Sequence, residues 1–219
     1  MRRLLSLTAA LCVLATLAAA QQPAPKDKAA PPKAPATKDD KAKGGGALAP
    51  GANLPGPFHP FNVTGPYANH FHCPVSDHNL DPGVLIFAQD LTVSPALRKL
   101  LSGLDAAIDK NPAARLAGTV IFLSDDLPNV VEDDDKRDEL KAKVQEVANS
   151  LALKHVVLSL DSRQDVAKYL RKENVALTVV LYKKFQVVRS YELSREKITD
   201  AAAQEILGEI AAQLGAKKK

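Results

Sequence analysis

Cysteine, tryptophan and aromatic side chains are scarce in this sequence. Of 219 residues, none is tryptophan, two are cysteine, and aromatic residues make up 5%. Cys12 lies in a segment that we expect to be removed, and Cys73 alone cannot close an intrachain disulfide. A disulfide-stabilised scaffold is therefore excluded. The fold must be stabilised by a packed core, for which 46% hydrophobic residues are ample.

Positive charge is present but not concentrated in the sequence. The formal net charge is +4, and part of it comes from the C-terminal Lys217–Lys219. We find no clustered basic face with interleaved aromatic residues, the pattern typical of nucleic-acid-binding domains. The sequence therefore predicts no nucleic-acid partner.

A single long apolar run stands at the N-terminus. Arg2 and Arg3 precede the run Leu4–Leu17, and Ala18–Ala20 end it. This is the pattern of a secretory signal peptide, and the run is too short for a membrane-spanning helix. We therefore predict a signal peptide over residues 1–20, an exported (periplasmic or secreted) protein, and no integral membrane segment in the mature chain.

The next segment differs sharply in composition from the rest of the chain. Residues 21–57 are almost entirely Ala, Pro, Lys, Gly and Asp. Such a composition buries too little apolar surface to offset the entropy of ordering. We predict a disordered linker over 21–57 and one folded domain over 58–216.

Three short apolar runs in this domain predict strands buried on both faces. They are Val84–Ala88, Thr119–Leu123 and His155–Leu160, without regular polar alternation. Two further segments, Leu177–Tyr182 and Gln186–Tyr191, flank a short turn and predict an antiparallel hairpin.

Helical patterns alternate with these strands. Ser94 followed by Pro95 is a typical helix start. The other predicted helices follow the acidic turn Glu132–Asp135, span Ser162–Lys172, and begin at Thr199–Asp200. Strands that alternate with helices imply parallel pairing. We therefore predict an α/β three-layer sandwich, with a mixed sheet of three parallel strands plus the C-terminal hairpin and helices on both faces.

The element order and the segment VLIFAQDLTVSPALRKL, residues 84–100, resemble the thioredoxin-like superfamily. In that superfamily the first core strand leads into a redox-active Cys-x-x-Cys at the start of the next helix. Here the two cysteine positions are Leu91 and Ser94. The stretch D-L-T-V-S-P is also similar to a peroxiredoxin pattern, and in that register Ser94 again replaces the reactive cysteine. The resemblance implies a thioredoxin fold over residues 84–216 without the thiol nucleophile.

A second hallmark of the superfamily, a cis-proline before a later core strand, is also missing. Leu177 stands where the resemblance would place that proline. A cis bond before a non-proline residue costs about 2.5–4 kcal/mol, so we expect a trans peptide. Nor does Ser94 look like a nucleophile, because no adjacent base accompanies it in the sequence. We interpret Ser94 as a helix cap and the chain as a divergent, redox-inactive member.

The segment before the first core strand, residues 58–82, holds most of the histidines and the remaining cysteine. His70, His72, Cys73 and His78 carry the imidazole and thiolate groups that suit Cu or Zn. A metal site formed by these four residues is therefore one alternative function. The strong zinc spacings are absent, so our main prediction includes no cofactor.

Cys73 supports another alternative. Together with Ser76 it has the form of a monothiol Cys-x-x-Ser motif, although it precedes the first core strand instead of starting the helix after that strand. The favoured function is an exported thioredoxin-like domain without dithiol redox activity that binds a protein or peptide, or serves a structural role. The alternatives are metal handling and monothiol oxidoreduction through Cys73.

Overall fold

The computed structural model describes residues 48–124, 134–170 and 174–215. The strands are β1 (Phe61–Asn62), β2 (Gly83–Ala88), β3 (Ala117–Leu123), β4 (Val157–Asp161), β5 (Leu177–Lys183) and β6 (Gln186–Leu193). The α-helices are α1 (Pro74–His78), α2 (Pro95–Lys110), α3 (Asp134–Leu151) and α4 (Asp200–Gly215). The predicted signal peptide and residues 21–47 of the predicted linker lie outside the described residues.

All six strands form one mixed sheet in the order β1-β4-β3-β2-β5-β6. Strands β2, β3 and β4 are parallel to one another. Strand β5 runs antiparallel to β2, and β6 runs antiparallel to β5. The predicted fold class, with three parallel strands and a C-terminal hairpin, is confirmed. Strand β1, paired antiparallel with β4, adds an edge.

The central strand β2 contributes side chains to two separate cores. Val84 and Ile86 enter one core, whereas Leu85 and Phe87 enter the other. Every residue of β2 is buried, which explains why the strand reads as a continuous apolar run. Both faces of the sheet must therefore be covered by other elements.

Helices α2, α3 and α4 cover the first face. Their buried residues include Leu100 and Leu104 of α2, Val144 of α3, and Ile206 and Ile210 of α4. Burying each such side chain stabilises the fold by about 1.5–3 kcal/mol. None of the helices in the described ranges is long and apolar enough to cross a bilayer.

Asp105 fixes one of these helices to the sheet. Its side chain is 9% exposed and lies on the inner face of α2. The carboxylate accepts hydrogen bonds from the backbone N–H groups of Lys154, His155 and Val156, at 3.1, 2.7 and 2.9 Å. These bonds hold the chain just before β4 against α2.

The second face is covered by α1, a 3-10 turn and the segment that precedes β1. Leu48 is fully buried there, and Phe58 packs against the rings of Phe87 and Tyr169. Gly51 N donates to the Val187 carbonyl of β6 at 2.8 Å. The linker prediction was therefore wrong for residues 48–57. A few buried apolar side chains and backbone hydrogen bonds to β6 hold this segment. The average composition of the segment does not reveal these contacts.

The helix predicted over Ser162–Lys172 is another correction. The described part contains only a 3-10 helix, Ala167–Tyr169, and residues 171–173 lie outside the described residues. Among the described apolar side chains of this segment, only those of Val166 and Tyr169 are deeply buried, enough for one turn and not for a helix face. Ser162 bonds locally to Asp165 at 2.8 Å, which favours a turn.

Candidate functional site

The positions that correspond to the family's redox motif lie together at the carboxyl end of β2. Ala88 is the last residue of β2, and Leu91 and Ser94 follow in the loop that leads into α2. Leu177 starts β5 and pairs directly with Ala88. The structure therefore brings Leu91, Ser94 and Leu177 to one end of the sheet.

The hydroxyl of Ser94 is engaged in capping α2. Ser94 Oγ accepts a hydrogen bond from Leu97 N at 3.2 Å, and Pro95 occupies the first helical position. This bond satisfies one of the backbone donors left free at a helix start and is worth about 0.5–2 kcal/mol. None of the residues that line the cavity beside Ser94 is a histidine. A histidine base that could activate the hydroxyl is thus missing from the described site.

The segment before β5 has regular extended geometry. The peptide before Leu177 is trans, like every peptide among the described residues. Leu177 is 2% exposed, and the preceding carbonyl of Ala176 accepts a hydrogen bond from Gln89 N at 3.0 Å. The backbone of this segment therefore bonds to the loop after β2 and continues the ladder of the sheet.

An ion pair that the sequence did not reveal lies next to this site. Arg195 donates a hydrogen bond to Asp90, which also accepts one from Thr92 N at 2.8 Å. Partial burial raises the pKa of the Asp90 carboxyl, but the bonds from Arg195 and Thr92 outweigh it and lower the pKa below its ordinary value. The cavity between this pair, Ser94 and Leu177 measures about 50 Å³. It is far smaller than a typical ligand pocket of roughly 300–1,000 Å³.

Comparisons with known proteins agree with this geometry. No protein-family model matches the chain, and no curated protein matches it. Solved structures do match. One, assigned as a thiol:disulfide interchange protein DsbE from Chlorobium tepidum, superposes with a TM-score of 0.53 at 14% identity, over 77% of this chain and 99% of that one. A yeast mitochondrial 1-Cys peroxiredoxin matches with a TM-score of 0.51 at 13% identity, over 76% of each chain. A PrxQ variant from Xylella fastidiosa gives 0.51 at 14% identity, over 77% of this chain and 99% of that one.

These likenesses show the fold. The chain is a thioredoxin-fold protein, and it carries leucine and serine where the resemblance places the two redox cysteines. At these identities the comparison does not extend to activity.

Cys73 lies outside this site, in the core on the second face of the sheet. It caps the short helix α1, is 4% exposed, and its Sγ accepts bonds from Ser76 N and Ser76 Oγ at 3.4 and 3.3 Å. Burial shields the sulfur of Cys73 from solvent. Cys73 packs in the second core with Phe87 and Tyr169, and it is not among the residues that line the cavity beside Ser94.

The candidate metal ligands are not gathered into one group. His70 is exposed, Cys73 is buried, and His72 stacks on the Tyr67 ring with its Nε2 3.4 Å from Asp77 Oδ1. Across the described ranges, no three His, Cys, Asp or Glu side chains are arranged to hold a metal ion. The four-residue site made of His70, His72, Cys73 and His78 is therefore not formed in this arrangement.

Two of these histidines instead line a polar cavity of about 330 Å³ at the amino ends of β3 and β4. His72 and His78 share this cavity with His155, which the sequence analysis did not connect to them. Burial is the largest influence on His78 and lowers its pKa, against the opposing effect of Asp77. The imidazole of His78 therefore stays neutral down to a lower pH than usual. His155 Nε2 lies 3.0 Å from the carboxylate of Asp109, a residue that does not line the cavity.

Proposed function

We propose that this chain is an exported thioredoxin-fold domain that performs no dithiol exchange and acts by binding a protein or peptide. The observation that carries the proposal is the state of the redox position. Leu91 and Ser94 replace both sulfurs, and the Ser94 hydroxyl already caps α2. A disulfide can be exchanged only by a thiolate, so a serine or leucine at this position has no means to do it.

The remaining cysteine offers little support for a monothiol mechanism. Cys73 is buried in the second core and bonded to Ser76, and it does not line the cavity at the loop where the fold places its chemistry. Access of a bulky disulfide to Sγ would require opening of the segment that covers it. Redox inactivity and binding therefore remain the better-supported proposal.

Turnover of a protein disulfide tests the redox part. The purified mature protein should not accelerate the reduction of insulin by dithiothreitol above the rate without protein. A clear acceleration that is lost in Cys73→Ser would establish the monothiol alternative and overturn the proposal. An acceleration that survives in Cys73→Ser would overturn it as well.

The double variant Leu91→Cys with Ser94→Cys supplies a positive control. If the missing sulfurs are the reason for inactivity, restoring them at the start of α2 should produce measurable insulin reduction, because a helix N-terminus lowers the pKa of a thiol. Ser94→Cys alone, which places one sulfur at the same start, serves as the matched control and should give much less.

Export and binding need separate measurements. The mass of the protein recovered from the exported fraction should correspond to cleavage near residue 20 if the signal peptide is processed. We call the positions Leu91, Ser94 and Leu177 the degenerate redox site. Quantitative capture with the mature domain should enrich a partner. That partner should be lost with Arg195→Glu, at the rim of the degenerate redox site, and kept with Lys141→Glu on α3. Equal enrichment by both variants would contradict binding at this site.

A further inference from the structure

A basic cleft lies at the end of the sheet opposite the degenerate redox site. It is formed where β2 and β3 begin, and it is bounded by residues 80–82, 110–115, 183–184 and 213–214. Its volume is about 680 Å³, within the range of sites that bind small molecules or short peptide stretches. Neither the family's chemistry nor the proposed function makes use of this end of the fold.

Positive charge is concentrated in the basic cleft. Lys110, Arg115, Lys183 and Lys184 line it, with Asp81 as the only acid in the lining. Arg115 Nε pairs with Asp81 Oδ2 at 3.0 Å, which occupies one of its nitrogens. None of the three lysines forms a salt bridge within the described parts of the chain. Over the described parts of the chain, acidic residues slightly outnumber basic residues. The positive charge of the cleft is therefore a local feature and does not reflect the charge of the whole described region.

An apolar side chain stands among these cations. Leu80 is 56% exposed, the highest value for a large apolar residue among the described residues. Its main chain is held in place, because the Leu80 carbonyl accepts a hydrogen bond from Lys184 N at 3.3 Å and the neighbouring Asp81 is paired with Arg115. Because the main chain is already held, only the side-chain rotamers of Leu80 lose freedom when a partner covers it.

We propose that the basic cleft binds a carboxylate-rich segment of a partner protein. Acidic side chains of that segment pair with the lysines and with the free nitrogens of Arg115, and an apolar side chain contacts Leu80. The cleft lining contains no aromatic residue on which a nucleic-acid base could stack. Its concave shape suits a peptide better than a flat lipid surface.

This binding site is independent of the degenerate redox site. Strand β2 separates the two ends, so a partner in the basic cleft does not touch Ser94 or Leu177. The failure of one proposal therefore leaves the other intact.

Fluorescence anisotropy tests the proposal with the full mature chain. The probe is a labelled dodecapeptide of repeated Glu-Glu-Leu, compared with a Lys-Lys-Leu counterpart, in low-salt buffer. We expect saturable binding of the acidic peptide alone, and weakening with added salt. Lys183→Glu with Lys184→Glu should weaken binding by roughly tenfold or more, and Leu80→Ser by roughly threefold.

A charge-matched control separates the cleft from other lysines, including those of the predicted linker. Lys141→Glu with Lys168→Glu makes the same charge change elsewhere on the surface and should alter affinity by less than about twofold. Thermal unfolding of each variant checks that the fold is intact. Equal loss of affinity in both double variants, or no saturable binding by the parent protein, would overturn the proposal.

Two other occupants have their own readouts. Vesicles containing phosphatidylglycerol that bind through Lys183 and Lys184, without binding of the acidic peptide, would assign the cleft to a lipid surface. Concentration-dependent self-association that the same double variant abolishes would assign it to a second copy of the chain. Either result would overturn the peptide assignment.

Discussion

The carboxyl group of Asp161 should make the stability of this fold depend on pH in an unusual direction. Asp161 ends β4, is 5% exposed, and accepts one hydrogen bond, from Ser162 N at 2.8 Å. Its Oδ2 is buried and has no hydrogen-bond partner among the described residues. Burial, with a smaller contribution from Asp165, raises the pKa of Asp161 from 3.8 to about 7, against the lowering effect of the Ser162 bond.

The magnitude follows from this difference in pKa. The native state holds the Asp161 proton up to about pH 7, whereas the unfolded chain releases it near pH 3.8. The contribution of this group to the free energy of unfolding is therefore greatest below pH 4 and falls as the pH rises through that interval. At 1.36 kcal/mol per pKa unit, the loss is about 4 kcal/mol by pH 7.5. The contribution is constant above that pH.

Urea unfolding of the parent protein and of Asp161→Asn from pH 4 to pH 8 measures this contribution. The variant has no proton to lose at this position, so the parent should lose stability relative to Asp161→Asn as the pH rises. Other titrating groups contribute to both proteins and cancel in the difference. A difference that changes by less than about 1 kcal/mol over the interval would refute the reasoning.

The variant Asp165→Asn refines the same test. It removes the neighbouring negative charge that contributes to the raised pKa of Asp161. The pH interval over which the parent loses stability should therefore shift to lower pH. An unchanged interval would show that burial acts alone.

Three further predictions concern other buried polar groups. Asp105→Ala should lower the free energy of unfolding by about 3 kcal/mol in urea titrations, because the backbone N–H groups of residues 154–156 lose their acceptor; a loss below about 1 kcal/mol would contradict this. Tyr182→Phe should raise the free energy of unfolding by about 1 kcal/mol, since the Tyr182 hydroxyl is buried without a hydrogen-bond partner among the described residues. A lower free energy of unfolding in this variant would contradict the prediction. Cys73 should react with Ellman's reagent at least roughly 100-fold faster in denaturant than in buffer, because opening must precede the reaction; equal rates would revive the reactive-thiol alternative.

Elements whose pattern is local were predictable from the sequence. The strand β2 is a continuous apolar run because both of its faces are buried. Helix α2 begins at Pro95, directly after its cap Ser94, because serine followed by proline satisfies a helix start. The thioredoxin-like order of these elements then placed Leu91, Ser94 and Leu177 at one end of the sheet. The first two inferences depend on residues that are close in sequence, whereas the placement of Leu177 depends on the resemblance.

Features that depend on distant pairs were not predictable. Asp90 and Arg195 are 105 residues apart, and nothing near either residue indicates the other. The four cations of the basic cleft come from two separate segments, residues 110–115 and 183–184, so they form no single basic cluster in the sequence. Residues 48–57 were missed for the same reason, because their partners on β6 lie more than 130 residues later.

The substitutions at the degenerate redox site favour stability over chemistry. A thioredoxin-type cysteine at the start of α2 is useful because the helix end stabilises a thiolate, whereas serine at the same position gives that stabilisation to the helix itself through a cap worth about 0.5–2 kcal/mol. Leu177, with a trans peptide, continues the β5 ladder from its first residue instead of presenting free backbone to a substrate. Under the proposed function, these positions form a well-bonded end of the sheet in place of a reactive one. The basic cleft proposed above lies at the opposite end of the sheet, so neither its cations nor Leu80 depend on the bonding at this end.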